Sequence, residues 1–294
     1  MSKLTDYWKQ NKKVGSFGIK YLDDTLRGIL KGDLILIGAR SGAGKSTIAE
    51  LIATANSQKG VKVTLLSLEN FKDDNFMQKA YYRYKSVSQE WDLNQRDFAS
   101  GNFEPNEYAL REAEKYAEEQ YKNIDVINRQ KFEFGIESLK TSIIEAVEKN
   151  KSELIIIDHI DYLDKEIGQS ENEHITCLMR EIRDAQYAFK VPVIAISHLR
   201  KSNSKEDVKV PGLDEFIGSS NKVKESTCVI MLAPDDEGNM QTDSRNKSTW
   251  CCIRKLRMGG IKNEAAKIYF DTRRGEYLDS YNVYRINYGG TKVL

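Results

Sequence analysis

From Leu34 onward the chain alternates short apolar runs with longer stretches of helical period. Residues 34–37, 61–66, 125–127, 154–157, 191–197 and 229–232 read as strands. Between them, 46–58 carries Ile48, Leu51 and Ile52 at helical spacing, and 136–149 and 173–189 show the same period. Segments 73–85 and 105–120 are rich in charge and tyrosine and read as exposed helices. After 229–232 the helices stop. Residues 250–255 and 265–270 form a strand pair across a turn at 258–263, and Gly275 turns the chain into 276–278. This order predicts an α/β fold with a mostly parallel central sheet flanked by helices and antiparallel strands at its C-terminal edge. Residues 1 to about 16 are polar and basic, with Leu4, Tyr7 and Trp8 on one helical face. That arm suits packing on its own domain, docking on a neighbouring subunit, or a frayed end.

Composition narrows the class. Among 294 residues, 40% are hydrophobic and 30% charged, enough for a core of one large domain or two small ones. The net charge of +1 creates no global field for nucleic acid, so any basic surface is local. Cys177, Cys228, Cys251 and Cys252 form no CxxC pair and read as reduced thiols. No apolar run approaches the ~18 to 20 residues of a membrane span, and the N-terminus lacks a signal-peptide core. A soluble cytoplasmic protein is expected, in the host-cell cytoplasm if it is viral, with no membrane partner.

The strongest chemical signal is Ala39-Arg40-Ser41-Gly42-Ala43-Gly44-Lys45-Ser46, between one strand and one helix, with Thr47 next. Small residues let successive backbone N–H groups turn around phosphate oxygens at a helix N-terminus. Lys45 reaches the terminal phosphates and the Ser46 hydroxyl ligates Mg²⁺. Ala39 fills the usual first glycine and Gly38 precedes it. The apolar strand 154–157 ends in Asp158, suited to hold Mg²⁺ through water. Glu69, at another strand end, is either a general base or an ordinary capping carboxylate. His198 ends a further strand; such a histidine is either structural or, beside a phosphate site, a γ-phosphate sensor. Arg200, Lys201, Lys205 and Lys209 follow it. By charge alone they read as a solvated loop, and they also suit nucleic-acid phosphates. Lys255 and Arg257 share a strand face, as surface charge or for a neighbouring subunit's ATP.

Read in order, these pieces resemble the ring-shaped replicative helicases, of both the DnaB type and the phage and mitochondrial primase–helicase (Twinkle) type. The resemblance covers roughly residues 17 to 280. It rests on Gly18-Ile19 to Lys31-Gly32-Asp33, Gly38 to Ser46, Ser67-Leu68-Glu69, Ile157-Asp158-His159, Ser197-His198-Leu199, Gly218-Ser219, Lys255-Leu256-Arg257 and the strand end from Phe270 to Gly275. His198 is more similar to the phage and mitochondrial branch. The resemblance implies a RecA-like P-loop NTPase core at 17–294 acting as a homo-hexamer, with ATP (or another nucleoside triphosphate) and Mg²⁺ at subunit interfaces. It assigns Glu69 as catalytic base, Asp158 as Mg²⁺ carboxylate, and His198 as sensor. Arg257 becomes a finger supplied in trans with Lys255 beside it, Phe270 a ring against adenine, and Arg200 to Lys209 a channel loop on single-stranded DNA. About 16 residues precede the core, which implies a separate primase, polymerase or loader. Where the phage branch has arginines for DNA or base contacts, this chain has Val223 and Pro234; Lys222 and Lys224 are the substitutes at hand.

The leading expectation is therefore an ATP-driven ring helicase that translocates on single-stranded DNA and unwinds duplex during replication. The alternative is a RecA or KaiC-like ATPase acting as recombinase or signalling platform. A nucleotide-dependent loading module without turnover is disfavoured by the joint presence of Glu69, Asp158 and Arg257.

Overall fold

Every position is buried in the strands β3 (Leu34–Ala39), β4 (Val63–Ser67) and β6 (Leu154–Asp158), and nearly every one in β7 (Val193–His198) and β8 (Cys228–Pro234). Continuous apolar runs of this kind suit strands covered on both faces. The computed structural model describes the chain apart from residues 1, 11, 70–71, 129–133, 201–209, 217, 236–244, 261–262 and 287–294. With β5 (Ile124–Asn128), β9 (Asn246–Leu256), β10 (Glu264–Asp271) and β11 (Glu276–Arg285), the strands form one nine-stranded sheet ordered β11-β10-β9-β8-β3-β7-β6-β4-β5. All pairings from β8 through β5 are parallel, and β8 to β11 pair antiparallel.

Alternation splits the core in two. Ile35, Ile37, Ile156 and Ile194 pack on one face with Ile48 and Ile52 of α3 (Lys45–Ser57) and Tyr21 and Leu22 of α2 (Lys20–Leu26). Leu34, Leu36, Ile155 and Ile157 face the other side, under α7 (Ile136–Glu148) and α8 (Glu171–Phe189). The second helix starts earlier than its apolar period because Ser170 caps it: the Glu173 N–H donates to Ser170 Oγ at 3.3 Å, and Glu173 Oε2 accepts from the Ser170 N–H at 2.9 Å. At the sheet edge β11 runs well past 278, to Arg285. Its polar sequence, with no residue fully buried, hid it.

One expectation needs correction. The segments read as exposed helices are α4 (Lys72–Ser88) and α6 (Glu107–Tyr121), and they bury a cluster of their own together with α5 (Gln95–Ser100). Ala109, Ala113 and Ala117, one per turn, let α6 approach Ala80, Tyr81 and Tyr84. Small alanines and amphipathic tyrosines in a charged background carry little hydrophobic signal, although the stripe they make is apolar. Tyr84 is fully buried and its hydroxyl accepts from the Asn106 N–H at 2.9 Å. Tyr84→Ala is expected to cost about 3–5 kcal/mol, measured by denaturant unfolding.

The N-terminal helix α1 (Lys3–Gln10) exposes Leu4 and Trp8. The next residues form β1 (Lys13–Gly15), paired with β2 (Ile29–Leu30). Between them Asp23 accepts hydrogen bonds from the N–H groups of Phe17 and Gly18 and from the Ser16 hydroxyl, at 2.8–3.0 Å. All four cysteines are free thiols; burial pushes those of Cys228 and Cys252 up to about 12 and about 11. Among the described residues, no helix is long and apolar enough to cross a membrane.

Candidate nucleotide site

The carboxyl ends of β3, β7, β6 and β4 lie side by side, in register. Ala39 is level with His198 on one side and Leu232 on the other, and Ser67 is level with Asp158. The helix leaving β3 crosses to β4 past two intervening strands, so a crevice opens at the carboxyl edge, where ligands of such sheets bind. Into it projects the loop from Ala39 to Ser46. Gly42 and Gly44 both have φ near +79°, a region that a side chain would strain, and a Cβ at Gly42 would meet nothing. Backbone conformation, not crowding, thus explains glycine there. Gly38 is the opposite case: a Cβ would come within 2.4 Å of the Phe216 ring.

Lys45 opens α3, with Ser46 and Thr47 in its first turn. Arg40 is engaged elsewhere, its guanidinium forked onto Glu215 at 2.7 and 2.9 Å. The Ser46 hydroxyl hydrogen-bonds the Asp158 carboxylate. Asp158 is 3% exposed, and its Oδ1 has no hydrogen-bond partner among the described residues. Burial pushes its pKa up, and Ser46, His159 and Lys45 pull it back. An orphaned buried carboxylate oxygen beside a hydroxyl fits Mg²⁺, which takes hard oxygen ligands and keeps several waters.

Glu69 lies just beyond β4, where the Leu68 N–H donates to the Asp158 carbonyl at 2.7 Å and continues the pairing past the strand. Its Oε2 is 3.6 Å from His159 Nε2. The same His159 nitrogen meets His198 Nε2 at 2.9 Å, so one imidazole donates and the other accepts. Burial, then the neighbouring His159 and Lys45, lowers the His198 pKa. Behind both rings sits Asp161. Its Oδ2 accepts from the His198 N–H at 2.6 Å and lies 3.3 Å from His159 Nδ1, off the line of a hydrogen bond. Burial alone would raise the Asp161 pKa, yet His159, Lys222 and the His198 N–H together hold it well below the carboxylate range.

The structure therefore brings Lys45, Ser46, Glu69, Asp158 and His198 together. Phe270 is on the same side of the sheet, four residues past the point where Ala266 pairs with Cys251, level with Ala39. Its ring is edge-on to Tyr277 at 5.4 Å and to Tyr82 at 6.3 Å. Tyr277 lies under the loop, its hydroxyl 4.0 Å from where a Gly44 Cβ would be. Lys255 and Arg257 are at the opposite edge. Leu256 pairs with Cys228, and Cys228 with Ile35, so Arg257 is nearly the full length of β3, roughly 17 Å, from its own loop. It cannot serve the nucleotide of its own chain. Both side chains contact carbonyls of α9 (Ser219–Glu225), as shared strand facing requires.

The model of the DnaB-like helicase C-terminal domain family matches residues 16–278. The chain belongs to that family. It is 25% identical over 273 residues to a probable replicative DNA helicase of Trieres chinensis, covering 90% of this chain and 57% of that protein. Against the replicative DNA helicase DnaB of Helicobacter pylori (strain ATCC 700392 / 26695) the identity is 24%, over 94% of this chain and 55% of the relative. The chain thus spans little more than half the length of these relatives. Two solved structures superpose with TM-scores of 0.76: a DnaB-like replicative helicase described with its primase interactions, at 18% identity over 94% of this chain and 67% of that one, and an ATPase domain solved by itself, at 19% over 94% and 95%. A KaiC-like protein from Pyrococcus horikoshii shares the fold at 0.54, with 14% identity over 93% of this chain and 99% of that one. This DnaB-like domain therefore has the RecA-like fold expected of it.

Within the domain, Arg200 is exposed and its N–H donates to the Glu215 carbonyl at 2.8 Å; Lys201, Lys205 and Lys209 lie outside the described residues. The suggestion that Lys222 replaces a DNA-contacting arginine is wrong. Its side chain is 1% exposed, and Nζ donates to Asp161 Oδ1 at 2.7 Å and Ser197 Oγ at 2.8 Å. Lys224 is exposed. Sequence reasoning assigned no role to His159, Asp161 or the buried ammonium of Lys222. The one available signal was a histidine directly after the strand-end Asp158, in a chain with three histidines.

Proposed function

We propose that this domain is the motor of an ATP-dependent ring helicase that translocates on single-stranded DNA and unwinds duplex during replication. The observation that carries the reading is the split of the site. Lys45, Ser46, Glu69, Asp158 and His198 meet at one sheet edge while Arg257 stands at the other. Such a set is completed only when a second copy presents its Arg257 edge to the loop, which heterologous contacts repeated around a ring achieve. Six copies and Mg²⁺-bound ATP, or another nucleoside triphosphate, follow the family pattern.

The residues divide the work accordingly. Lys45 and the loop N–H groups hold the phosphates, and Glu69 orients and deprotonates the attacking water. Ser46 and, through water, Asp158 hold Mg²⁺, which when bound neutralises phosphate charge. Phe270 lies against the base. His198 reads the γ-phosphate, and as a histidine it aligns the domain with the phage and mitochondrial branch. Arg200, held to Glu215, starts the segment 200–209 that grips DNA, and Glu215 also holds Arg40 of the phosphate loop. A primase partner is proposed from the DnaB-like structure described with one, and a polymerase or loader and a cytoplasmic setting from the replicative role.

The test is ATP hydrolysis with and without single-stranded DNA across a salt series, at ring-forming concentrations. Stimulation that fades as salt rises is expected, because phosphate-gripping lysines release counterions. Turnover unmoved by DNA at every salt would favour the signalling alternative, and filaments on DNA the recombinase.

A further inference from the structure

The buried Lys222 is a charged side chain close to the site that the proposed chemistry does not use. It belongs to α9, which is held at two places. On one side Lys222 Nζ bonds Asp161 Oδ1 (2.7 Å) and Ser197 Oγ (2.8 Å), and Asp161 in turn holds the His198 N–H at 2.6 Å. On the other side Lys255 Nζ donates to the carbonyls of Val223 and Lys224, and Arg257 Nη2 reaches the Lys224 carbonyl at 3.4 Å. The Arg257 N–H also bonds the Thr227 carbonyl at 2.8 Å, just past the helix end.

The helix itself is well seated. Gly218, with φ +63°, packs so close to Ile175 that a Cβ would come within 2.7 Å of its Cδ1. Asn221 Nδ2 meets Thr176 Oγ1 at 2.5 Å, and Ser226 Oγ bonds the Lys222 carbonyl at 2.6 Å. A displacement of the His198 strand end therefore has a short, rigid route to the carbonyls that orient Lys255 and Arg257. An apolar residue would fill the space of a buried lysine without the desolvation of its charge, so packing alone does not call for an ammonium here.

We propose that Lys222 is a positioning residue that clamps α9 to the sensor strand, so that the sensor of one ATP site sets the aim of the finger offered to the next. This rests on the trans reading of Arg257. It requires one helix to have contacts with both sites, which the geometry supplies, and a coupling free energy between them.

Mixed rings test it. A Lys45→Ala subunit disables its own site but still presents its finger, so doping it into wild type measures loss of one site per variant. A Lys45→Ala/Arg257→Ala subunit disables two. At equal mixing with independent sites these leave about half and about a quarter of the activity. Lys45→Ala/Lys222→Met is expected to dope like the Arg257 double variant, with nucleotide affinity of Lys222→Met subunits unchanged. Doping like Lys45→Ala alone, while the Arg257 double variant poisons more strongly, overturns the clamp and leaves the ring reading intact. If the Arg257 double variant itself dopes like Lys45→Ala, the trans reading fails and the clamp with it. Should Lys222→Met unfold the chain, Lys222→Met/Asp161→Asn removes both charges, and the same comparison decides.

Discussion

Arg257→Ala is expected to lower ATP turnover about 10³-fold or more while nucleotide affinity changes little, because an arginine finger acts on transition-state charge. The magnitude follows from where the side chain is. Arg257 is exposed, and nearly the length of β3 separates it from its own phosphate loop. It therefore adds nothing to ground-state binding within its chain. Single-turnover hydrolysis and titration with a fluorescent nucleotide separate the two effects. A loss below about tenfold would return Arg257 to ordinary surface charge, since a rim charge in water is worth little. Lys255 behaves differently. Burial, then the adjacent Arg257, lowers its pKa, and its ammonium is already committed to the α9 carbonyls. Its part is to fix the strand end from which Arg257 projects.

The strands of the core were legible because each is a short run of buried apolar residues, and the chemistry at their ends was legible for the same reason. Asp158, Glu69 and His198 each interrupt such a run or closely follow it, where an α/β sheet exposes its carboxyl edge. Other parts were not. The short helices α2 and α9 are seven residues each, dominated by lysine, aspartate and serine, and their stability comes from tertiary anchors such as Asp23 and Lys222. The helices α4 and α6 were recognised but misjudged, because tyrosine and alanine pack a cluster without announcing it. The network behind the sensor was hidden for a deeper reason. Asp161, Ser197 and Lys222 come from three separate segments, and a buried ion pair looks like surface charge until the chain is folded.

Glu69→Gln is expected to lower kcat by about 10²–10⁴ with KM nearly unchanged, the signature of a lost general base rather than of lost binding. The amide keeps the shape of the side chain and its access to solvent, for Glu69 is 42% exposed and packs in no core. A capping carboxylate in that setting would contribute to stability and leave the chemical step alone. The two roles are thus separable by measuring unfolding and turnover on the same variant. His159 sharpens the contrast. Its Nε2 is 3.6 Å from Glu69 Oε2 and 2.9 Å from His198 Nε2, so the proposed base and the proposed sensor share one buried neighbour. A glutamine offers that neighbour a carbonyl oxygen in place of a carboxylate, which preserves a contact but removes the proton acceptor. If turnover survives the substitution within about tenfold, water activation must come from elsewhere in the site, and proximity to His159 is no more than packing.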